Sequence, residues 1–171
     1  MYMSSFEGVI FDLDDTIIDT AEIKHLRKSP WSECYKYIPT KTFSYFGKEL
    51  SSVIQERNLK VGIVTNSPRS YATRVLSQHN FYYDDLICFH DCEKRKPFPD
   101  PLLKCSLNLG VSPKNIISIG DSINDIIATK RAGMTSVGVT WGESARLELI
   151  ETVPDYIVNN AMELISLLRE L

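Results

Sequence analysis

An α/β fold with a doubly wound, Rossmann-like parallel sheet and helices on both faces is predicted by three features of the sequence. Short apolar runs rich in β-branched residues recur along the chain, segments of helical periodicity lie between them, and proline and glycine stand where those helices should begin and end. The runs read as strands buried on both faces. Strands alternating with helices imply right-handed crossovers and a parallel sheet.

The first strand, Val9 to Phe11, leads directly into Asp12-Leu13-Asp14-Asp15-Thr16. Carboxylates crowded at a strand end repel one another unless a cation neutralises them or one does chemistry, so the crowding suggests a metal site. Residues 21–40 hold too much proline and charge for one uninterrupted helix, yet too many aromatics for a disordered linker. They read as a short ordered insertion lying over the strand ends. Phe46 to Arg57 then places Leu50, Val53 and Ile54 on one helical side, and Val61 to Val64 forms the second strand. The helix from Ser70 to His79 carries Tyr71, Val75 and Leu76 towards the core, ahead of a third strand at Leu86 to Phe89. A helix at Leu102 to Leu109, a strand at Ile116 to Ile119, a helix at Ile123 to Ala132, a strand at Ser136 to Val139 and a last helix at Ala161 to Arg169 complete the pattern. Pro68 behind Ser67 and Pro101 behind Asp100 fit first helical positions after a capping side chain, and Gly110 and Gly133 fit helix stops.

A chain of 171 residues can bury a substantial core, and one domain spanning 1–171 is expected. It is 43% hydrophobic and 24% charged with formal net charge -3, which gives no general attraction to nucleic acid or an anionic membrane. No apolar run approaches the roughly 20 residues of a membrane span, and the N-terminus lacks the pattern of a signal peptide. A cytoplasmic monomer or dimer is the expectation. Cys34, Cys88, Cys92 and Cys105 lack the spacing of a disulfide framework and read as free thiols. Cys88-Phe89-His90-Asp91-Cys92 with Cys105 offers zinc ligands but no Cys-x-x-Cys pair, so buried thiols at a strand end are preferred.

In a doubly wound sheet ligands bind outside the carboxyl ends of the strands, and the polar residues collect there. Asp12, Asp14 and Asp15 follow the first strand, Thr65-Asn66-Ser67 the second, Lys94-Arg95-Lys96-Pro97 the third, and Gly120-Asp121-Ser122-Ile123-Asn124-Asp125 the fourth. Each group has a use if a phosphate and a magnesium ion meet there. Carboxylates are hard oxygen ligands for magnesium, Thr65 donates a hydroxyl, Asn66 lies near a helix N-terminus, and Lys96 neutralises phosphoryl oxygens. Asp121 and Asp125, four apart at a helix start, share a face and can reach one cation or lysine. Taken singly, these segments would be a solvated turn, a helix cap and a wet basic surface; Arg95, beside Lys96, fits the last.

All four segments resemble the motifs of the haloacid dehalogenase-like hydrolase superfamily, most of whose members are magnesium-dependent phosphatases. The stretches Val137-Gly138-Val139-Thr140-Trp141-Gly142 and Pro154-Asp155-Tyr156-Ile157-Val158 resemble its phosphoglycolate-phosphatase-like branch. The resemblance implies that Asp12 is the nucleophile that forms an aspartyl-phosphate and that Asp14 is general acid and then base. It further implies that Asp12, the Asp14 main-chain carbonyl and Asp121 hold Mg2+, that Thr65, Asn66 and Lys96 bind the phosphoryl group, and that Thr16 and Asp125 support the site. Relatives commonly carry a helical cap after the first motif; here residues 21–40 are the one candidate, so the chain resembles the capless members. An open site of that kind can accept a large substrate such as a phosphoprotein or nucleic-acid end, or be covered by a partner subunit; the expected substrate is a phosphorylated small molecule or a macromolecular phosphate end. Within the insertion Arg27, Lys28 and Trp31 are candidates for substrate contact, as is Arg69, against the plainer reading that Trp31, Tyr35 and Tyr37 pack the insertion down while the charges are solvated. The alternatives in function are a phosphotransferase or mutase, and a non-catalytic phosphoacceptor domain; Asp14, a built-in acid and base, favours turnover.

Overall fold

The computed structural model describes residues 6–171. In chain order the elements are β1 (Gly8–Phe11), β2 (Ile18–Asp19), a 3-10 helix at Ala21–Leu26, α1 (Trp31–Lys41), β3 (Phe43–Ser44), α2 (Lys48–Glu56), β4 (Lys60–Val64), α3 (Arg69–Gln78) and β5 (Asp85–Ile87). They continue with α4 (Asp100–Leu109), β6 (Ile116–Gly120), α5 (Ile123–Arg131), β7 (Thr135–Val139), α6 (Arg146–Glu151), β8 (Tyr156–Val158) and α7 (Ala161–Glu170). Six strands pair in parallel in the order β5-β4-β1-β6-β7-β8. The chain winds outwards from β1 on one side and returns to wind outwards on the other, which puts the topological switch point beside β1.

Alternation along the strands builds both layers. Val9, Phe11, Val61, Ile63, Ile117, Ile119, Val137 and Val139 face one way, into a core closed by α2, α3, α7 and the insertion. Ile10, Val64 and Ile116 face the other way, against Leu102 and Cys105 of α4 and Ala128 of α5. Gly110 (φ 68°) and Gly133 (φ 72°) take the left-handed conformation just past α4 and α5, as their positions in the sequence predict.

Several boundaries differ from the sequence-based expectation for identifiable reasons. The third predicted strand stops at Ile87, because the Cys88 N–H is taken by the Asp91 carboxylate at 2.6 Å and the Phe89 N–H by the Ser67 carbonyl at 3.0 Å. Pro68 is extended (ψ 148°) and precedes α3, and the Ser67 hydroxyl donates to Asp14 at 2.7 Å, so it does not cap that helix. Helix α4 starts at Asp100 behind Pro99, which puts Asp100 in the first turn. Helix α2 begins two residues later than the pattern suggests, at Lys48.

The insertion is ordered, as expected, and is divided: a 3-10 helix, then α1 with Pro39 inside its last turn. Ile23, Cys34 and Ile38 anchor it in the core. β2 and β3, which flank it, pair antiparallel through Ile18 with Ser44 and Asp19 with Phe43. β8 and α6 are further additions to the predicted set. All four cysteines are free.

Candidate active site

The carboxyl ends of the sheet open into a cavity of about 910 Å³ whose lining includes Asp12, Asp14, Thr65, Asn66, Lys96, Asp121 and Asp125. Asp12 follows β1 directly. Its N–H extends the ladder to the Ile119 carbonyl at 2.9 Å, which fixes it over the seam between β1 and β6.

Lys96 ties the site together. Its Nζ donates to Asp12 Oδ1 at 2.8 Å, to Asp125 Oδ1 at 2.6 Å and to the Val64 carbonyl at 2.8 Å, so all three N–H groups are used on protein acceptors. The other oxygen of Asp125 accepts from the Ser122 N–H (3.0 Å) and hydroxyl (2.7 Å), closing a capping box at the start of α5. Asp121 accepts from the Thr16 hydroxyl at 2.7 Å and from the Glu143 N–H at 2.7 Å. Helix cap, sheet end and lysine therefore orient one another.

Asp12, Asp121 and Asp125 each present an oxygen within 4.8 Å of the others, and among the described residues this is the one grouping of three potential metal ligands that close. Three carboxylates and one ammonium leave a net charge of two negatives when all are ionised. The strain shows in their proton affinities. Burial, with the charges of Asp125 and Asp121, raises Asp12 well above the ordinary carboxylate range against the pull of Lys96. Burial and Asp125 push Asp121 up to about 6. Burial acts to discharge Lys96, but Asp12 and Asp125 outweigh it and hold the ammonium above its ordinary value. A hard, all-oxygen donor set with two surplus negative charges fits a divalent ion of the magnesium type. The cysteines contribute nothing comparable.

Two glycines make the close approach possible. A Cβ on Gly120 would fall 2.3 Å from Asp125 Cβ, and one on Gly142 would fall 2.2 Å from Asp121 Cβ. Neither can carry a side chain without displacing a carboxylate.

The first acidic run does not form one carboxylate cluster, which corrects the sequence-based picture. Asp12 joins Asp121 and Asp125, whereas Asp15 takes a left-handed conformation (φ 60°) in the turn and accepts from the Thr20 N–H at 3.0 Å. The Asp14 carboxylate accepts from Thr20 Oγ1 (2.8 Å), Tyr71 OH (2.6 Å) and Ser67 Oγ (2.7 Å), and pairs with Arg27 Nη1 (2.9 Å).

Other predicted residues fall on both sides of the boundary. Thr65 Oγ1 accepts from the Ser67 N–H at 3.0 Å, which leaves its proton available to a ligand, and Asn66 Nδ2 donates to the Lys96 carbonyl at 3.3 Å. Thr16 touches Asp121 and, at 3.4 Å, Asp12. Trp31 lines the cavity and packs on Tyr71 with ring centroids 5.8 Å apart. Lys28 is exposed and outside the lining. Arg69 lies outside it too, because its guanidinium turns back to the Leu86 carbonyl (2.8 Å) and Asp91. Arg95 sits 3.6 Å over the Phe89 ring. Sequence reasoning assigned no site role to Tyr71, Thr20, Gly142 or Glu143. Tyr71 carried the one available signal, a hydroxyl within an aliphatic core stripe.

A family model described as haloacid dehalogenase-like hydrolase matches residues 35–139. A phosphoglycolate phosphatase from Shigella boydii is 31% identical over 91% of this chain and 63% of its own length. A phosphoglycolate phosphatase from Escherichia coli is 34% identical over 67% of this chain and 46% of its own length. The chain thus spans about half to two thirds of these curated relatives. The crystal structure of a hydrolase from Pseudomonas syringae superposes with a TM-score of 0.83 at 19% identity, covering 96% of this chain and 99% of that one, which bears on the fold.

Proposed function

The chain belongs to the haloacid dehalogenase-like hydrolases, and we propose that it is a magnesium-dependent phosphatase that hydrolyses a phosphate monoester through an aspartyl-phosphate on Asp12. The observation that carries the reading is the Lys96 ammonium bridging Asp12 and Asp125 beside Asp121 at the switch point of the sheet. Residues 1–171 act as one hydrolase core, with the segment at about 21–40 in place of a cap.

In this reading Asp12 attacks phosphorus in line and the ester oxygen leaves on the opposite side. Lys96 works against the burial and carboxylate repulsion that favour a protonated Asp12, and it offsets phosphoryl charge; with its three N–H groups spent on the protein, it acts through charge more than through a hydrogen bond of its own. The Thr65 hydroxyl and the Asn66 amide bind phosphoryl oxygens. Asp14 delivers a proton to the leaving alkoxide and then takes one from the water that attacks the acyl phosphate, which releases phosphate and restores Asp12. Magnesium held by Asp12, the Asp14 carbonyl and Asp121 would supply the two positive charges the carboxylates lack and polarise the phosphoryl group. Thr16 and Asp125 support the site through Asp121 and Lys96.

Among the described residues no helix is long and apolar enough to cross a membrane. The substrate is a phosphorylated molecule, and 2-phosphoglycolate belongs in the first panel because the two curated relatives carry that name. The shortness of the segment at about 21–40, which leaves no separate cap to exclude water, supports water rather than a second hydroxyl as final acceptor. Phosphate release across sugar phosphates, nucleotides, phosphopeptides and 2-phosphoglycolate, with magnesium and with chelator, tests the reading. Release that persists in chelator would remove the metal from it.

A further inference from the structure

We infer that Arg27 and Tyr71 are positioning residues for Asp14, and that setting this carboxylate is the task of the insertion between β2 and β3. The inference rests on the acid and base part assigned to Asp14 above.

A carboxylate has about four lone-pair sites, and at ionised Asp14 all four are taken: Thr20 and Tyr71 on Oδ1, Ser67 and Arg27 on Oδ2. To take up and pass on a proton Asp14 exchanges the contact to one of the small hydroxyls, Ser67 or Thr20, while Arg27 and Tyr71 keep the group in place. The donors come from two stretches of chain, Thr20 and Arg27 at the two ends of the 3-10 helix and Ser67 and Tyr71 around the start of α3, so the group is held between the insertion and α3. Asp14 lies outside the three-carboxylate cluster, which means that its side chain is not held by the need to bind an ion.

Tyr71 is fully buried in the hydrophobic core, and its hydroxyl reaches Asp14 at 2.6 Å. A buried phenol requires a partner, and this one is spent on the site, where an aliphatic residue would have filled the core equally well. Arg27 ends the 3-10 helix of the insertion, with its guanidinium 5.9 Å over the Tyr71 ring. The Trp31 ring lies 5.8 Å from the same tyrosine. Side-chain exposure of only 19% for Arg27 and 12% for Asp14 makes the pair expensive to bury unless its geometry is used. A proton donor must lie within about 2.6–3.2 Å of the leaving oxygen, and a displacement of about 1 Å can cost about a hundredfold in rate. The insertion is too small to enclose a substrate, but it is well placed to fix that distance.

The alternative is that Asp14 merely anchors the insertion, and leaving-group dependence separates the two. An aryl phosphate departs as a stabilised phenolate that needs little proton donation, whereas an alkyl phosphate departs as an alkoxide that needs it. The ratio of kcat/KM for p-nitrophenyl phosphate over an alkyl phosphate is therefore measured in wild type, Asp14→Asn, Arg27→Gln, Arg27→Lys and Tyr71→Phe, with melting curves as a check on folding. The ratio is expected to rise at least about tenfold in Asp14→Asn, Arg27→Gln and Tyr71→Phe, with partial return in Arg27→Lys. A ratio raised in Asp14→Asn but unchanged in Arg27→Gln and Tyr71→Phe overturns the positioning role and leaves the proposed function standing. A ratio unmoved in Asp14→Asn removes the acid itself and the inference with it. Tyr71→Phe deletes one oxygen and keeps the ring, so it decides the matter if Arg27→Gln does not fold.

Discussion

Lys96 and Asp12 are 84 positions apart in the sequence, yet Lys96 Nζ stands 2.8 Å from Asp12 Oδ1. The contact joins the end of β1 to the loop after β5 and places a positive charge against the carboxylate assigned as nucleophile.

Replacing Lys96 by alanine is expected to lower kcat/KM by about 2–4 kcal/mol, which is about 30- to 1000-fold. Lys96→Arg should rescue little, because a planar guanidinium does not match three acceptors arranged around one nitrogen. Without the lysine, Asp12 and Asp125 lose their buried counter-charge, so in chelator the melting temperature should fall as well. Steady-state kinetics and melting curves on both variants check this; wild-type rates in Lys96→Ala would remove the residue from the site.

Asp121 gives the stability of the metal-free protein a defined pH dependence. Burial and Asp125 push it up to about 6, against about 3.9 in an unfolded chain. The folded state therefore holds this proton more tightly: the group favours folding below about pH 4, and that contribution is lost as pH rises through about 6. The Thr16 hydroxyl can accept as well as donate, so an asparagine at 121 keeps contacts to both Thr16 and Glu143. In chelator Asp121→Asn is expected to melt above wild type at pH 8, with the gap closing towards pH 4. In magnesium at about 100 times Kd the order should reverse, since binding adds about 2.7 kcal/mol, or about 5–10 °C, to the wild type alone. Calorimetry at three pH values in both buffers reads all of these signs.

Gly142 should behave as a metal-site residue although it offers no ligand atom. A methyl group there would meet Asp121 Cβ at 2.2 Å and Oδ2 at 2.3 Å, so Gly142→Ala must displace the carboxylate. Magnesium affinity by titration calorimetry should drop about 10- to 100-fold, with about 1–3 kcal/mol of lost stability. Unchanged magnesium affinity would show that Asp121 does not hold the ion.

The legible parts of the fold are those in which burial leaves a periodic trace. β1, β4, β6 and β7 are buried on both faces and read directly as strands. β2 and β3 are two residues each and exist through their mutual pairing, while β8 has only three residues and an exposed Tyr156. Helix α6, six residues long, is too short for a clear period. Within the site, Asp12, Thr65 and Asp121 were readable because each directly follows an apolar run, and Lys96 and Asp125 because they belong to motifs at the same end of the sheet. Tyr71 was not, since a helix stripe cannot tell a core ring from one whose hydroxyl reaches across to Asp14. Arg69 misled for the opposite reason: it lies close to Thr65 in sequence, but the start of α3 turns it towards Asp91.

The most direct test of the central claim is mass spectrometry on protein acid-quenched during turnover of p-nitrophenyl phosphate in magnesium, with wild type and Asp12→Asn in parallel. The account predicts a phosphoryl adduct on the peptide carrying Asp12, steady phosphate release by the wild type, and neither in the variant. Sustained release by Asp12→Asn, or an adduct on another residue, would contradict it.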